Sequence, residues 1–170
     1  MLLQRFRGEG DAWTGEIATS LNATRHVIEW VAEHSEARGQ GPAIVVVGST
    51  AASFIASEQP VSYHMAKAAV LHMVRYYAVA LGPKGIRVNA VSPGTTLKDE
   101  NTQFYSEHPE IEGVYRAVVP LRRMGTAAGV AGVVAFLLSD DASFVTGQNI
   151  ACDGGATLQA QESLARALKS

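Results

Sequence analysis

The amino-acid sequence predicts an α/β fold in which a parallel β-sheet is flanked by helices. Three short segments, at residues 43–47, 86–91 and 148–152, are predicted as strands, and the first is a continuous apolar run. The first run is rich in β-branched residues, which is typical of a strand buried on both faces. Longer segments with helical signals separate the runs. Strands that alternate with long helices indicate a parallel sheet.

Three helices are predicted around these strands. Residues 13–37 predict an amphipathic helix, because apolar residues recur at steps of four and three. Residues 62–81 predict a second helix, which the following Gly-Pro-Lys-Gly turn ends. Thr126 is the expected N-cap of a third helix that reaches Leu138. Residues 95–119 are the least regular region, with charged residues interleaved with Phe104, Tyr105 and Tyr115.

Length and composition favour a globular protein with one core. The chain has 170 residues, of which 47% are hydrophobic and 18% charged. Its net charge of -2 provides no attraction for nucleic acid or an anionic membrane, and no apolar run reaches transmembrane length. Cys152 is the only cysteine, so we expect no intrachain disulfide and a cytoplasmic location. The five histidines have no metal-ligand spacing, so we expect no bound metal.

Tyr63 and Lys67 lie four residues apart in the second predicted helix, so both side chains lie on the same helix face. A positively charged ammonium beside a phenol favours the phenolate form. A tyrosine in this setting becomes a usable general acid or base. This spacing is common by chance, but the apolar strand that ends in Ser49 and Thr50 makes the combination more specific. His64 points elsewhere on the helix, and we expect it on the surface.

Four stretches of the sequence together resemble the short-chain dehydrogenase/reductase family, in its compact branch. They are the strand that ends at Ser49-Thr50, the Tyr63-Lys67 pair, residues 85–94, and residues 120–125 running on to Asp153-Gly154-Gly155. With the helix before them, these stretches span most of residues 13–155. The last two stretches are long and specific, so chance is a poor explanation for the match.

The resemblance implies a partial Rossmann-like parallel sheet with flanking helices, lacking the N-terminal dinucleotide-binding strands. The family begins with a strand, a glycine-rich turn and a helix that receives the pyrophosphate. Here the early glycines lie in a polar lead-in without a strand, so we expect that this chain does not encode the pyrophosphate site. Residues 1–170 are expected to form a single incomplete domain. It would comprise an irregular lead-in (1–12), the family-like part (13–155) and a tail (156–170).

The resemblance also implies catalytic roles. Tyr63 would exchange a proton with the substrate oxygen, and Lys67 would bind the nicotinamide ribose and favour the phenolate. A hydroxyl after the first strand would hydrogen-bond the substrate carbonyl or alcohol. Ser49 is our choice for that hydroxyl, although a one-residue difference in the loop would favour Thr50, and Ser53 is a weaker option.

The cofactor implied by the resemblance is NAD or NADP. Residues that follow the second strand would lie along its nicotinamide end, beside Tyr63 and Lys67. They are Pro93, Gly94, Thr95 and Thr96. The two threonines are also common as ordinary turn residues, and that alternative stays open.

Three positions depart from the family pattern. Ser20 stands where the family usually has the asparagine of its proton relay, and Asn22 lies on a different helix face. A plain helix-surface role for Ser20 is an equal alternative. Lys98 replaces a frequent threonine after Pro-Gly, and Gly129 replaces the acidic partner of a capping box.

Two functions therefore compete. The first is an NAD(P)-dependent oxidoreductase that acts on a small carbonyl or alcohol substrate and is incomplete as an isolated chain. The second is a non-catalytic remnant or interaction subunit that retains the family's association surfaces. The resemblance also implies a homo-oligomer, because association in the family commonly uses the Tyr-Lys helix and the helix before it. In addition, the strand at residues 43–47 would present an unpaired edge, so we expect self-association, a partner or residues 1–12 to cover it.

Overall fold

The computed structural model describes residues 10–35 and 41–168 and has a three-stranded parallel sheet at its centre. Its strands are β1 (Ala43–Val47), β2 (Arg87–Pro93) and β5 (Asn149–Cys152), in the order β1-β2-β5. Two further strands, β3 (Thr96–Leu97) and β4 (Gly125–Thr126), pair in parallel in a second small sheet. The α/β fold with a parallel sheet is confirmed.

Seven α-helices accompany the sheets in the described part of the chain. They are α1 (Gly10–Glu16), α2 (Ala23–His34), α3 (Val61–Leu81), α4 (Asp99–Glu107), α5 (Pro109–Val118), α6 (Ala127–Leu138) and α7 (Gln161–Ala167). A π-helical segment (Ile17–Asn22) joins α1 to α2 without a break. Short 3₁₀ helices are Thr50–Ala52, Gly82–Lys84, Asp140–Ala142 and Ala156–Leu158.

The predicted helix ends agree with the structure where a capping residue marks them. The hydroxyl of Thr126 accepts a hydrogen bond from the backbone N–H of Gly129 at 3.1 Å, which confirms it as the N-cap of α6. After α3, Gly85 adopts a left-handed φ of 73°, a conformation that suits glycine and turns the chain into β2. The first helix begins at Gly10 and ends at His34, while residues 36–37 of its expected range lie outside the described residues.

Residues 95–119, the least regular region of the sequence, contain two helices, α4 and α5. The backbone N–H of Lys98 donates to the side-chain oxygen of Asn101 at 2.7 Å, which closes the start of α4. Pro109 begins α5, where its missing N–H leaves no helical bond unmade. Local capping therefore defines helices that the mixed charged and aromatic pattern obscured.

The two faces of the three-stranded sheet are covered by different helices. On one side, which we call the α3 face, α2 and α3 pack against alternate residues of β1 and β2. Tyr77 of α3 donates to a carboxylate oxygen of Glu29 of α2 at 2.6 Å and so joins the two helices. Burial and this hydrogen bond raise the pKa of Tyr77 to about 12. The other side, the α6 face, is covered by α6.

Strand β1 is less buried than its composition predicts, which corrects the expectation of burial on both faces. Its first four residues are half-buried, and Val47 is 55% exposed. The reason is its position, because within the described residues β1 pairs with β2 alone. That another segment or chain covers the free edge of β1 stays a prediction. Of the segment proposed to cover it, residues 1–9 lie outside the described residues.

Candidate active site

Three separate parts of the chain meet at the carboxyl end of the sheet and line one cavity of about 790 Å³. Ser49 follows β1, Tyr63 and Lys67 belong to α3, and the Pro93-Gly94 segment ends β2. Helix α6 provides the opposite, apolar wall. In a parallel sheet all strands end at the same edge, so residues distant in sequence converge there.

The phenol and the ammonium predicted to act together are neighbours. The Nζ atom of Lys67 lies 5.4 Å from the centre of the Tyr63 ring, and both side chains are half-buried. Both lie on α3, so their separation is set by a regular helix of 21 residues. This distance places the ammonium within cation–π range of the ring.

Of the three hydroxyls considered after β1, Ser49 lines the cavity. Its oxygen accepts a hydrogen bond from the backbone N–H of Ala51 at 3.1 Å. A serine hydroxyl that accepts this bond still has its own hydrogen to donate. By contrast, the Thr50 hydroxyl donates to the carbonyl of Pro93 at 3.3 Å, and Ser53 is exposed beyond the 3₁₀ turn.

The end of β2 approaches the end of β5 closely, and Gly94 makes this possible. A Cβ atom at Gly94 would lie 2.9 Å from the Cβ of Asp153, closer than side chains allow. The Gly94 N–H donates to the carbonyl of Cys152 at 3.1 Å. Thr96 lines the cavity, and its hydroxyl donates to the Gly94 carbonyl at 3.1 Å, whereas Thr95 is exposed.

Ser20 lies apart from the residues that line the cavity. It is buried in the π-helical segment, where its hydroxyl donates to a carboxylate oxygen of Glu16. In this segment the N–H of Ala23 bonds to the carbonyl of Ala18, five residues back. The segment packs against α3. The surface alternative for Ser20 is therefore wrong as regards exposure, and Asn22 is exposed as its helix face predicts.

The expectation that His64 lies on the helix surface was wrong. The residue is buried, with 9% of its surface exposed. Its Nδ1 lies 2.8 Å from the carbonyl oxygen of Ala51, and its Nε2 lies 3.1 Å from that of Ala56. Both carbonyls belong to the loop between β1 and α3, so the helix pattern of the sequence provided no signal for them.

Lys98 is a site residue that the sequence analysis missed. It lines the cavity, and its ammonium pairs with Glu100 at 3.3 Å on the exposed side. Among the described residues that line the cavity, Lys67 and Lys98 are cations and none carries a carboxylate. The cavity is therefore an environment that favours anionic groups. The only sequence signal was the departure from the family's frequent threonine.

Asp153, beside this site, is held by backbone and side-chain donors. Partial burial alone would raise the pKa of Asp153, but hydrogen bonds from Thr157 and Gly155 outweigh it and the pKa is lowered. The bonds are 2.9 Å from each backbone N–H and 2.6 Å from the Thr157 hydroxyl. Burial and the charge of Asp153 raise the pKa of Cys152, so its thiol is a poor nucleophile.

The described residues contain no group of three or more histidine, cysteine or acidic side chains placed to hold a metal ion. None of their helices combines the length and the apolar character that a membrane crossing requires.

Comparison with known proteins identifies relatives of this chain. A family model described as enoyl-(acyl carrier protein) reductase matches residues 7–157. L-rhamnose 1-dehydrogenase (NAD(P)(+)) of Azotobacter vinelandii is 37% identical over 82% of this chain and 54% of its own length. Isoepoxydon dehydrogenase of Penicillium expansum is 37% identical over 87% of this chain and 58% of its own length. The chain thus spans about half the length of the curated relatives it matches.

Solved structures show the same fold. A short-chain type dehydrogenase/reductase from Mycobacterium ulcerans matches with a TM-score of 0.79 and 36% identity, over 88% of this chain and 53% of that one. A gluconate 5-dehydrogenase from Burkholderia cenocepacia, solved in complex with NADP and tartrate, also has a TM-score of 0.79. It is 27% identical over 91% of this chain and 59% of its own.

Proposed function

Because the chain belongs to the short-chain dehydrogenase/reductase family, we propose that it takes part in NAD- or NADP-dependent oxidoreduction of a small carbonyl or alcohol compound. The observation that supports this most strongly is the shared cavity, which Ser49, Tyr63 and Lys67 line together. A phenol, an ammonium and a hydroxyl around one cavity are the groups needed to move a proton at a reacting oxygen.

We propose that Tyr63 is the general acid and base. In the reducing direction its hydroxyl donates a proton to the substrate oxygen, and in the oxidising direction its phenolate accepts that proton. Lys67 stabilises the phenolate, and the free hydrogen of the Ser49 hydroxyl holds the substrate oxygen. When bound, the nicotinamide supplies the hydride exchange at the carbon that bears this oxygen.

The residues around the cavity fit the nicotinamide end of such a cofactor. Lys67 offers an ammonium to ribose hydroxyls, and Gly94 lines the same cavity. Pro93, Thr95 and Thr96 complete the proposed contact set. The described residues contain no glycine-rich turn between a strand and a helix N-terminus, which is the usual phosphate site. We therefore propose that Lys98, a cation that lines this cavity, binds the phosphates of the cofactor.

For Ser20 we propose the place of the relay asparagine. Its support is the position of Ser20 in the π-helical segment that packs against the catalytic helix α3. Such segments within helices occur frequently at functional sites. A proton leaving Tyr63 needs a path to solvent, and a buried hydroxyl on a neighbouring helix can hold a water on that path.

The test is turnover of a panel of small ketones and alcohols with either cofactor. Tyr63→Phe removes the phenolic oxygen and keeps the ring, so we expect a loss of at least about 100-fold in kcat. Tyr76→Phe is the matched control, because Tyr76 lies on the same helix with its side chain 66% exposed. Equal turnover by the wild type and Tyr63→Phe would exclude this role for the phenol.

A second candidate function is a non-catalytic remnant or interaction subunit. The supporting observation is apolar surface on the outer sides of α2 and α3, which would also serve a homo-oligomer. It includes Val27, Trp30, Tyr76 and Val79, each more than half exposed. This candidate predicts association without cofactor binding, whereas the first predicts both. In either case we propose a single domain over residues 1–170 and a cytoplasmic location, the latter because the chain has one cysteine.

A further inference from the structure

We infer that His64 is a positioning residue that holds the Ser49 hydroxyl in place beside Tyr63. The inference rests on the proposed function, because it concerns the geometry of the proposed catalytic groups. It is independent of that function in one respect, since the contacts of His64 can be measured without any turnover.

The loop between β1 and α3 packs against α3 through its 3₁₀ turn, and the Thr50 hydroxyl bonds to the Pro93 carbonyl at 3.3 Å. After this turn, residues 53–55 and 57–60 are exposed, including Ile55 at 82%. Backbone hydrogen bonds within the loop are local turns, such as Ala52 N–H to the Ser49 carbonyl at 3.1 Å. The buried imidazole of His64 instead reaches two carbonyls at different points of the loop, Ala51 and Ala56. It therefore attaches this loop to α3.

Ala51 connects this attachment to the catalytic hydroxyl. Its carbonyl faces Nδ1 of His64 at 2.8 Å, and its N–H donates to the Ser49 oxygen at 3.1 Å. His64 directly follows Tyr63 on the same helix. The phenol and the Ser49 hydroxyl are thus held on one continuous framework of backbone and imidazole. The phenol and the Ser49 hydroxyl must contact the same substrate oxygen, so their separation has to be fixed. A small displacement of either group lowers the rate of the chemical step.

The chemistry of the ring defines which substitutions test this role. A neutral imidazole has one N–H and donates to one of the two carbonyls, whereas a protonated ring donates to both. Glutamine has an amide NH₂ with two hydrogens and can still donate to the loop. Leucine fills a similar volume but has no donor for either the Ala51 or the Ala56 carbonyl, at a site from which water is largely excluded.

The experiment measures amide hydrogen exchange by NMR on the full chain, comparing wild type with His64→Leu and His64→Gln. The Ala51 amide reports directly on the Ser49 oxygen to which it donates. We expect its exchange to be about tenfold faster in His64→Leu, as for the loss of one hydrogen bond, and close to wild type in His64→Gln. The control is His72→Leu, because His72 is exposed two turns further along α3.

Turnover adds a second readout that a purely structural role would not change in this pattern. With the active protein, we expect His64→Leu to lower kcat by about tenfold while the KM for cofactor stays unchanged, since Lys67 and Gly94 are untouched. His64→Gln should restore most of the rate. Unchanged Ala51 exchange in His64→Leu, or faster exchange with an unchanged kcat, would overturn the inference. Absence of turnover in the wild type would count against the proposed function alone, and the exchange result would still decide the role of His64.

Discussion

The two faces of the central sheet differ in how completely they are covered. On the α3 face, two helices bury a continuous core together with β2. Its buried members are Ile28, Ala32, Leu71, Val74, Ala78, Leu81, Ile86, Val88 and Ala90. On the α6 face, the buried core consists of Val91, Leu137 and Ala142. Nearby Phe136 and Leu138 are about half exposed, and Phe144 is fully exposed.

The two walls of the cavity belong to these two different faces. The wall with Tyr63 and Lys67 belongs to the well-packed α3 face, so its geometry is set by a rigid core. The opposite wall belongs to α6 and ends in exposed apolar side chains. Exposed apolar groups of this kind indicate a surface that associates with another surface. The helix that carries Tyr63 and Lys67 thus packs on a larger buried core than the α6 wall does.

The largest predicted effect contrasts the two faces directly. Ile28→Ala removes a side chain that is 1% exposed in the α3-face core, and we expect a loss of about 3 kcal/mol in the free energy of unfolding. Phe144→Ala removes a fully exposed ring beside the α6 face, and the expected change is below about 0.5 kcal/mol. Chemical denaturation with the two variants measures both values. Similar losses would show that the α6 face is as well packed as the α3 face.

A smaller effect concerns the end of β5, where Cys152 packs into the α6-face core. Asp153→Ala removes the carboxylate that accepts three hydrogen bonds from Gly155 and Thr157. We expect a loss of about 2 kcal/mol near neutral pH. The pKa of Asp153 is lowered in the folded protein, so its contribution to the free energy of unfolding is fully present above the pKa of an unfolded aspartate, about 3.9. It is lost as the pH falls through the lower folded pKa.

Urea denaturation at pH 7 and at decreasing acidic pH measures this dependence. The difference between wild type and Asp153→Ala should shrink below about pH 4. Asp141→Ala is the control, since Asp141 is exposed in a 3₁₀ turn. A pH-independent difference for Asp153→Ala would mean that the carboxylate charge does not contribute.

The smallest effect lies outside both faces, in the connection between α5 and β4. Arg122 has a φ of 58°, a left-handed conformation that is unfavourable for a residue with a Cβ. We expect Arg122→Gly to raise the free energy of unfolding by about 0.5 kcal/mol, as relief of strain exceeds the entropy that glycine adds to the unfolded chain. Arg123→Gly should lower it, because that position is not left-handed. A lower stability for both variants would show that the Arg122 side chain contributes more than its strain.

The sequence predicted those features that depend on local patterns. Short segments bounded by turn residues predicted the three strands, and Thr126 predicted the start of α6, because strand composition and helix caps act over a few residues. The Tyr63-Lys67 pair was predictable since helix geometry alone brings the two together. The half-burial of β1 was not predictable from the sequence, because burial of a strand depends on which strands pair with it. His64 was missed for the same reason, as its partner carbonyls come from a loop whose path no periodicity predicts.

The central claim is that the cavity with Ser49, Tyr63 and Lys67 holds a nicotinamide cofactor. Fluorescence titration of the chain with NADH and with NADPH tests it most directly. We predict saturable binding of at least one of them, weakened about tenfold or more by Lys67→Met, which removes the ammonium but keeps an unbranched apolar chain. Lys84→Met, at an exposed turn, should bind like wild type. The absence of saturable binding to the wild type, or equal binding by Lys67→Met, would contradict the claim.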